Sequence, residues 1–222
     1  WNDSANAIVD LIATRVLSPT AAVTLPTVLN LAGAMFGVKV ADTMSKILHT
    51  GPEYFSRPET VLLVVVAGLL SASIWAAAMT IFGMPISGSH SLIGGVVGAG
   101  VAAAGVKALV VKNVTTTLLA MLVAPAMGFV FAYFFYVIMI WLTVRWRPTT
   151  MNTTFGRLQI ASASWMAFTH GTNDAQKVMG IITMAMIAGG FQAAPASGKF
   201  EVHLWVKIAC AAAISLGTAV GG

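Results

Sequence analysis

The sequence is short of charge. Only 9% of its 222 residues are Asp, Glu, Lys or Arg, against about 25% in a soluble domain. Hydrophobic residues make up 58%, and the mean hydropathy is +0.87. So little polar surface cannot coat a water-soluble globule. Cysteine is nearly absent too: Cys210 stands alone inside the apolar "KIACAAAISLG". That excludes a disulfide framework and a thiolate metal site, and leaves Cys210 as a small hydrophobe. Acids number seven against twelve Lys and Arg, a formal charge of +5. The basic residues are scattered at segment ends rather than gathered in a stripe with aromatics, which excludes nucleic acid as a partner. There is no initiator Met and no signal-peptide pattern, so the sequence reads as an internal stretch of a longer chain.

What the sequence has is long apolar runs. Thr60 to Phe82 and Asn113 to Val144 carry no charge, and each exceeds the roughly 20 residues needed to cross a bilayer. The fold class expected is an all-α polytopic membrane protein with the lipid bilayer as its solvent. Seven helical segments are expected: Asp3–Leu17, Ala21–Leu48, Thr60–Phe82, Ser89–Val106, Asn113–Val144, Leu158–Gly190 and Lys199–Gly222. The stretch "RWRPTTMNTTFGR", residues 145–157, reads as a loop. Its three Arg and no acid place it on the cytoplasmic side.

Several segments are interrupted in ways a plain anchor does not need. Pro26 and Pro125 fall inside apolar runs, where each favours a kink. "GSHSLIGGVVGAGVAAAG", from Gly88, follows Pro85 and is dense in glycine, with Gly94 and Gly98 spaced for close packing. It reads as a re-entrant or broken helix buried in protein. Internal similarity is also present. Aligning Asn2-Asp3 with Asn173-Asp174 sets Asn6 opposite Lys177, and further on Gly37 opposite Gly217. Related halves with polar breaks in matching places are the signature of an inverted-repeat secondary transporter. Residues 1–144 then form a first half lacking its start, 145–157 a cytoplasmic linker, and 158–222 the start of a second half.

The polar residues inside the apolar runs carry the chemistry. A carboxylate at mid-membrane depth costs about 2.5–3.5 kcal/mol, so Asp3 and Asp174 are expected to face a cavity or a cation. Each follows an Asn, and an Asn-Asp pair at a helix break can bind Na+ or carry a proton. Ser87, Ser89, His90 and Ser91 cluster after Pro85 at a helix start. There, hydroxyls and free backbone N–H groups meet the positive end of the helix dipole, an arrangement suited to a tetrahedral oxyanion. Simple N-capping by Ser87 or Ser89 is the plainer alternative. "THGTND" offers Thr169 and Thr172 hydroxyls in the same way. His170 and Asp174 stand at i,i+4, a metal-binding spacing, but no third His or Cys ligand lies nearby. Lys177 must find an acid or an anion.

Taken together, "NDSANA" at Asn2 to Ala7, "PISGSHSLIGGVVG" at Pro85 to Gly98 and "GTNDAQKVMGIIT" at Gly171 to Thr183 resemble the inorganic phosphate transporter (PiT) permeases. The resemblance spans essentially the whole sequence. It implies a phosphate symporter of two inverted halves whose broken helices meet at a mid-membrane site. It implies phosphate held by Ser87, Ser89, His90, Ser91, Thr169 and Thr172. It implies cation or proton coupling at Asn2, Asp3, Asn6, Asn173, Asp174 and Lys177, with Na+ at Asp3 and Asp174 if Na+ is the coupling ion. Lys177 is a departure, since an Asn is expected there, and its fixed ammonium favours proton over Na+ coupling. The first hydroxyl motif departs as well, reading Ser-Gly-Ser-His where Ser-Thr-Thr-His is common.

The expected function is therefore a non-enzymatic phosphate symporter coupled to H+ or Na+, multi-pass in the cell membrane, without a cofactor. Phosphate alone or as a metal–phosphate complex fits the pattern as substrate, and a homodimer is compatible with it. A sulfate permease on the same scaffold is the near alternative. An intramembrane hydrolase would need Ser91 or Thr172 as nucleophile. An anion channel needs no paired acids. If the two halves are real, a second Pro-x-Ser hydroxyl motif lies roughly 80–90 residues beyond Asp174 in the complete gene. Its absence from that reading frame would refute the two-half arrangement.

Overall fold

The structure is a computed structural model describing residues 3–193 and 201–221. Its elements, in chain order, are α1 (Ser4–Ala13), α2 (Pro19–Ala34), α3 (Lys39–Met44), α4 (Pro58–Ile81), α5 (Gly88–Ala104), α6 (Val111–Thr143), α7 (Pro148–Ala188) and α8 (Leu204–Gly221). A short 3-10 turn, Val106–Ala108, joins α5 to α6. Among the described residues there is no strand, only an isolated bridge between Leu48 and Leu109. Helices α4, α6 and α8 are long and apolar enough to cross a membrane. Helix α6 buries only Thr143 and exposes apolar residues such as Phe129, Phe135 and Trp141 on all sides. Water does not tolerate such a surface, whereas lipid does.

Local chemistry accounts for several helix starts. Ser18 caps α2 by accepting from the Ala21 N–H, and Pro19 starts the helix with its φ already set. Pro58 and Pro148 open α4 and α7 in the same way. The 145–157 stretch is a correction to the sequence reading. Only 144–147 break the chain, and residues 148–157 are the first turns of a 41-residue α7. A proline followed by threonines resembles a loop in composition, but the proline here sits at the first helical position. Thr153 folds back onto the helix, donating to the Thr149 carbonyl at 3.0 Å.

Two further expectations exchange places. The segment Ala21–Leu48 is broken, with Met35 to Val38 separating α2 from α3 and Gly37 at φ +78°. The "THGTND" segment is continuous helix, as the expected segment Leu158–Gly190 has it, and its Asn-Asp pair does not stand at a helix break. Pro125 interrupts neither the span nor the assignment of α6. Helix α5 has 17 residues, about 25 Å of rise, one residue fewer than α8.

The break at Met35–Val38 is possible because α7 satisfies it. A helix end in an apolar interior leaves backbone donors and acceptors that must be paired. The Gln176 side chain does both tasks. Its Nε2 donates to the Phe36 carbonyl at 2.8 Å and its Oε1 accepts from the Val40 N–H at 3.0 Å. Gln176 is 2% exposed.

Glycines set how closely helices approach. A Cβ on Gly171 would meet the Asn30 backbone, one on Gly33 the Phe168 carbonyl, and one on Gly180 the Ala41 backbone. Helix α7 thus lies flush against α2 and α3. The α4–α5 hairpin closes in the same way, but through Gly68 and Gly95 rather than Gly94 and Gly98. A Cβ on Gly95 would meet the Gly68 carbonyl, whereas Gly94 and Gly98 have nothing within 4 Å. The hairpin packs on α7 mainly through α4, and Val61, Val65, Ile93 and Val96 share one buried apolar cluster with Ile181 and Met184. Gly95→Ala should therefore lower thermal stability in detergent, at a cost of about 1–3 kcal/mol for an overpacked contact. Gly94→Ala should leave the unfolding temperature unlowered. Equal effects would refute this crossing.

Candidate functional site

A cavity of about 610 Å³ opens between α1, α4, α5, α7 and α8. Asp3, Ser89, Ser91, His170, Asp174 and Lys177 put their polar groups into it, while Leu69, Ala72, Val178 and Ile214 give it apolar walls. Most of the charge comes from one helix. His170, Asp174 and Lys177 stand at i, i+4 and i+7 of the continuous α7, one face of two helical turns. Asp3 comes from the other side, at the N-cap of α1.

These groups are in contact. Lys177 Nζ donates to Asp174 Oδ1 at 2.5 Å and to Ser89 Oγ on α5. His170 Nε2 lies 3.2 Å from Asp174 Oδ2 and 3.7 Å from Asp3 Oδ2. Asp3, His170 and Asp174 each offer one ligand atom, all within 4.8 Å of one another. The third ligand missing from the sequence neighbourhood of His170 thus arrives from the far end of the chain, as a carboxylate. Asp3 also approaches the start of α5, where a Cβ on Gly88 would lie 3.8 Å from its Oδ2. The cluster has the elements of a cation site, two carboxylates and an imidazole, fused to those of an anion site, an ammonium and a helix N-terminus with hydroxyls.

The α5 start combines both readings of its serines. Ser87 is the N-cap, accepting from the His90 N–H at 3.4 Å and pairing with His90 Nδ1 at 2.6 Å. Ser91 donates back to the Ser87 carbonyl at 2.9 Å. Ser87 and His90 are exposed, outside the lining of the larger cavity, whereas Ser89 and Ser91 line it.

Other expected members fall elsewhere. Thr172 donates to the Gly33 and Phe168 carbonyls, both at 3.0 Å, and so belongs to the α2–α7 crossing. Thr169 donates to the Trp165 and Met166 carbonyls, and Asn173 is exposed; neither lines the cavity. Asn6 lines a neighbouring cavity of about 500 Å³, which shares Asp3 and Ser4 with the first and is bounded by Thr80 and the Gly83–Ile86 turn. Asn2 lies outside the described residues. The hydrolase reading loses its nucleophiles, because Ser91 and Thr172 both donate to backbone carbonyls rather than to a histidine.

Two buried groups were missed. Asn30, 1% exposed, reaches from α2 to His170 Nδ1 at 3.1 Å and to Thr218 Oγ on α8 at 2.9 Å. Thr218 itself borders the cavity. The available signal was a single Asn inside the apolar "PTVLNLAGAMF", which has to find a partner for its amide.

The whole chain, residues 1–222, matches the family model described as "Phosphate transporter family". It is 40% identical over its full length to the "Probable low-affinity inorganic phosphate transporter" of Rhizobium meliloti (strain 1021), covering 64% of that protein. A protein of the same name from Bacillus subtilis (strain 168) is 37% identical, again with 64% of its length covered. The chain thus spans less than two thirds of these relatives. In fold it is similar to a solved structure described as "The sodium-dependent phosphate transporter", with a TM-score of 0.77 and 19% identity over 98% of this chain and 70% of that one.

The geometry predicts solvent access residue by residue. With Cys210 replaced by Ala, Ser89→Cys and Ser91→Cys should react readily with a small water-soluble thiol reagent, and Thr172→Cys should stay unlabelled. Labelling of Thr172→Cys as fast as the serine positions would contradict the packed crossing.

Proposed function

We propose, from the premise that the chain belongs to the phosphate transporter family, that it carries the binding site of a cation-coupled phosphate symporter, multi-pass in the cell membrane. The observation that carries this reading is the Lys177 ammonium, placed between Ser89 at the start of α5 and the Asp174 carboxylate. Phosphate would lie where Lys177, the Ser89 hydroxyl and the first N–H groups of α5 converge, with Ser91 at the edge of the same cavity.

Charge balance then supplies the coupling. The cavity holds two carboxylates, Asp3 and Asp174, against one ammonium. With a neutral His170 its formal charge is negative, and an incoming anion is repelled. One added cation on the Asp3–His170–Asp174 cluster removes the excess, so anion and cation bind better together than apart. Lys177 already neutralises one acid permanently, which leaves room for a single mobile charge and favours a proton over Na+. A divalent metal accompanying the phosphate would meet the same cluster. Alternating access follows from moving one half of an inverted-repeat protein against the other. The corner carrying Arg145 and Arg147 would face the cytoplasm.

Full-length protein in liposomes tests this. Phosphate should enter with protons, as internal acidification that depends on external phosphate, and sulfate should not replace it. No phosphate-dependent ion movement would sink the symporter reading. Lys177→Asn should shift uptake from proton towards Na+ dependence, and unchanged cation dependence would remove the role given to the ammonium.

A further inference from the structure

His170 has two ring nitrogens, and which one carries the proton of the neutral ring is set by the hydrogen bond the other makes. A line of three hydrogen bonds leading away from the cavity fixes the answer. It ends on the Ile214 backbone carbonyl of α8, which can only accept. Thr218 Oγ lies 2.9 Å from that carbonyl, so the hydroxyl proton is committed there. The Thr218 oxygen is left to accept, and it receives the Asn30 Nδ2–H at 2.9 Å. Turning the Asn30 amide over would set its Oδ1 against an oxygen with no proton to give. Asn30 Oδ1 therefore faces His170 Nδ1 at 3.1 Å, and Nδ1 must be the donor. Asn30 and Thr218 are 1% and 3% exposed, which keeps water from taking over either bond.

We infer that Asn30, held in orientation by Thr218, is a positioning residue that fixes His170 as its Nδ1–H tautomer and aims the Nε2 lone pair into the cavity. Nε2 then faces Asp174 Oδ2 at 3.2 Å and Asp3 Oδ2 at 3.7 Å. Three acceptors converge on one gap, and a cation, a proton on Nε2 included, is what satisfies them. In the opposite tautomer, Nε2–H would donate to Asp174 and His170 would be a fixed strut rather than part of the cation slot. Asn30 thereby ties the α2–α8 contact to the chemistry of the cavity without touching the substrate. The consequence for uptake rests on the symport reading given above, whereas the tautomer does not.

Nitrogen NMR of 15N-histidine-labelled full-length protein in liposomes reads the tautomer directly, with His170 identified by the signal lost in His170→Asn. The neutral ring should show a protonated Nδ1 and an unprotonated Nε2. Thr218→Val, which deletes the acceptor for Asn30 with little change of shape, should give a mixture of tautomers. Thr218→Ser, which keeps the hydroxyl, should restore the wild-type tautomer. Asn30→Leu should show the same mixture as Thr218→Val. Phosphate uptake in Thr218→Val and Asn30→Leu should fall by about tenfold, the scale of losing an orienting partner of a ligand histidine. Because Asn30→Leu can fail to fold, the wild-type spectrum and the Thr218 pair carry the decision. An Nε2–H ring in the wild type overturns the inference, as does a loss of uptake in Thr218→Val with the tautomer unchanged. The expected tautomer in a protein showing no phosphate-driven ion movement would support the assignment of His170 while removing the symport reading.

Discussion

The contact on which the rest of the structure depends is the flush packing of α7 against α2 and α3. It is keyed almost residue by residue. Gly171 sits on the Asn30 backbone, Thr172 donates to the Gly33 carbonyl, Gln176 pairs with Phe36 and Val40, and Gly180 sits on Ala41. Both sets of numbers rise together, so the helices run in the same direction. Small residues allow backbone approach in an environment where the hydrophobic effect does not drive helices together, and the polar side chains fix the register. A slip of one residue would cost Gln176 both its partners and leave the α2–α3 break with unpaired groups, each worth about 1–3 kcal/mol. The same register places His170 beside Asn30 and turns Asp174 and Lys177 towards the cavity.

The charges make sense only as a set. Lys177 alone would be a costly buried cation, and Asp174 alone a costly buried anion. Paired at 2.5 Å they offset one another, and the ammonium still reaches Ser89 on a different element. Asp3 spoils the balance by adding a second carboxylate from α1. A site built for stability would omit it. On the symport proposal, an imbalance that an external cation corrects would have a use, because it would make the occupancy of one ligand depend on the other.

The class of fold was legible because composition and run length act over the whole chain, and lipid leaves few alternatives. The acids were legible for the same reason: Asp3 and Asp174 stand out in apolar surroundings whatever the tertiary structure. Assignment of the polar residues between 169 and 177 depended instead on one local assumption. If "THGTND" broke the helix, Thr169, Thr172 and Asn173 could turn to one point with Asp174. As continuous helix, successive residues are about 100° apart, and only His170, Asp174 and Lys177 share the cavity face. Gly171, just before Asn173, serves close packing, which sequence cannot distinguish from flexibility without the partner helix. Asn30 and Gln176 were obscure for a related reason. Their roles lie in bonds to residues some 140 to 190 positions away, and nothing local reports them.

Two walls of the cavity are held differently, and this bears on how it can open. One wall is α7, which α2 and α3 back from behind, locked by glycine contacts and by hydrogen bonds along the crossing. The other is the α4–α5 hairpin, itself rigid through Gly68 and Gly95. The hairpin meets α7 by apolar packing that runs from Val178 at the cavity wall to Ile181, Met184 and Ala185 beyond it. Nearer its tip, the contact across the cavity is the bond from Lys177 to Ser89. Apolar contacts tolerate small rotations at little cost, because they are non-directional. A charged hydrogen bond does not, since it weakens steeply with angle and distance. Rotation of the hairpin about its packed end would therefore be registered first at Lys177 and Ser89, the same pair that would meet an oxyanion. An anion bridging the ammonium and the start of α5 would replace that direct bond with a longer one. On the proposed placement of phosphate, substrate occupancy and the spacing of these walls would be governed by a single pair of residues.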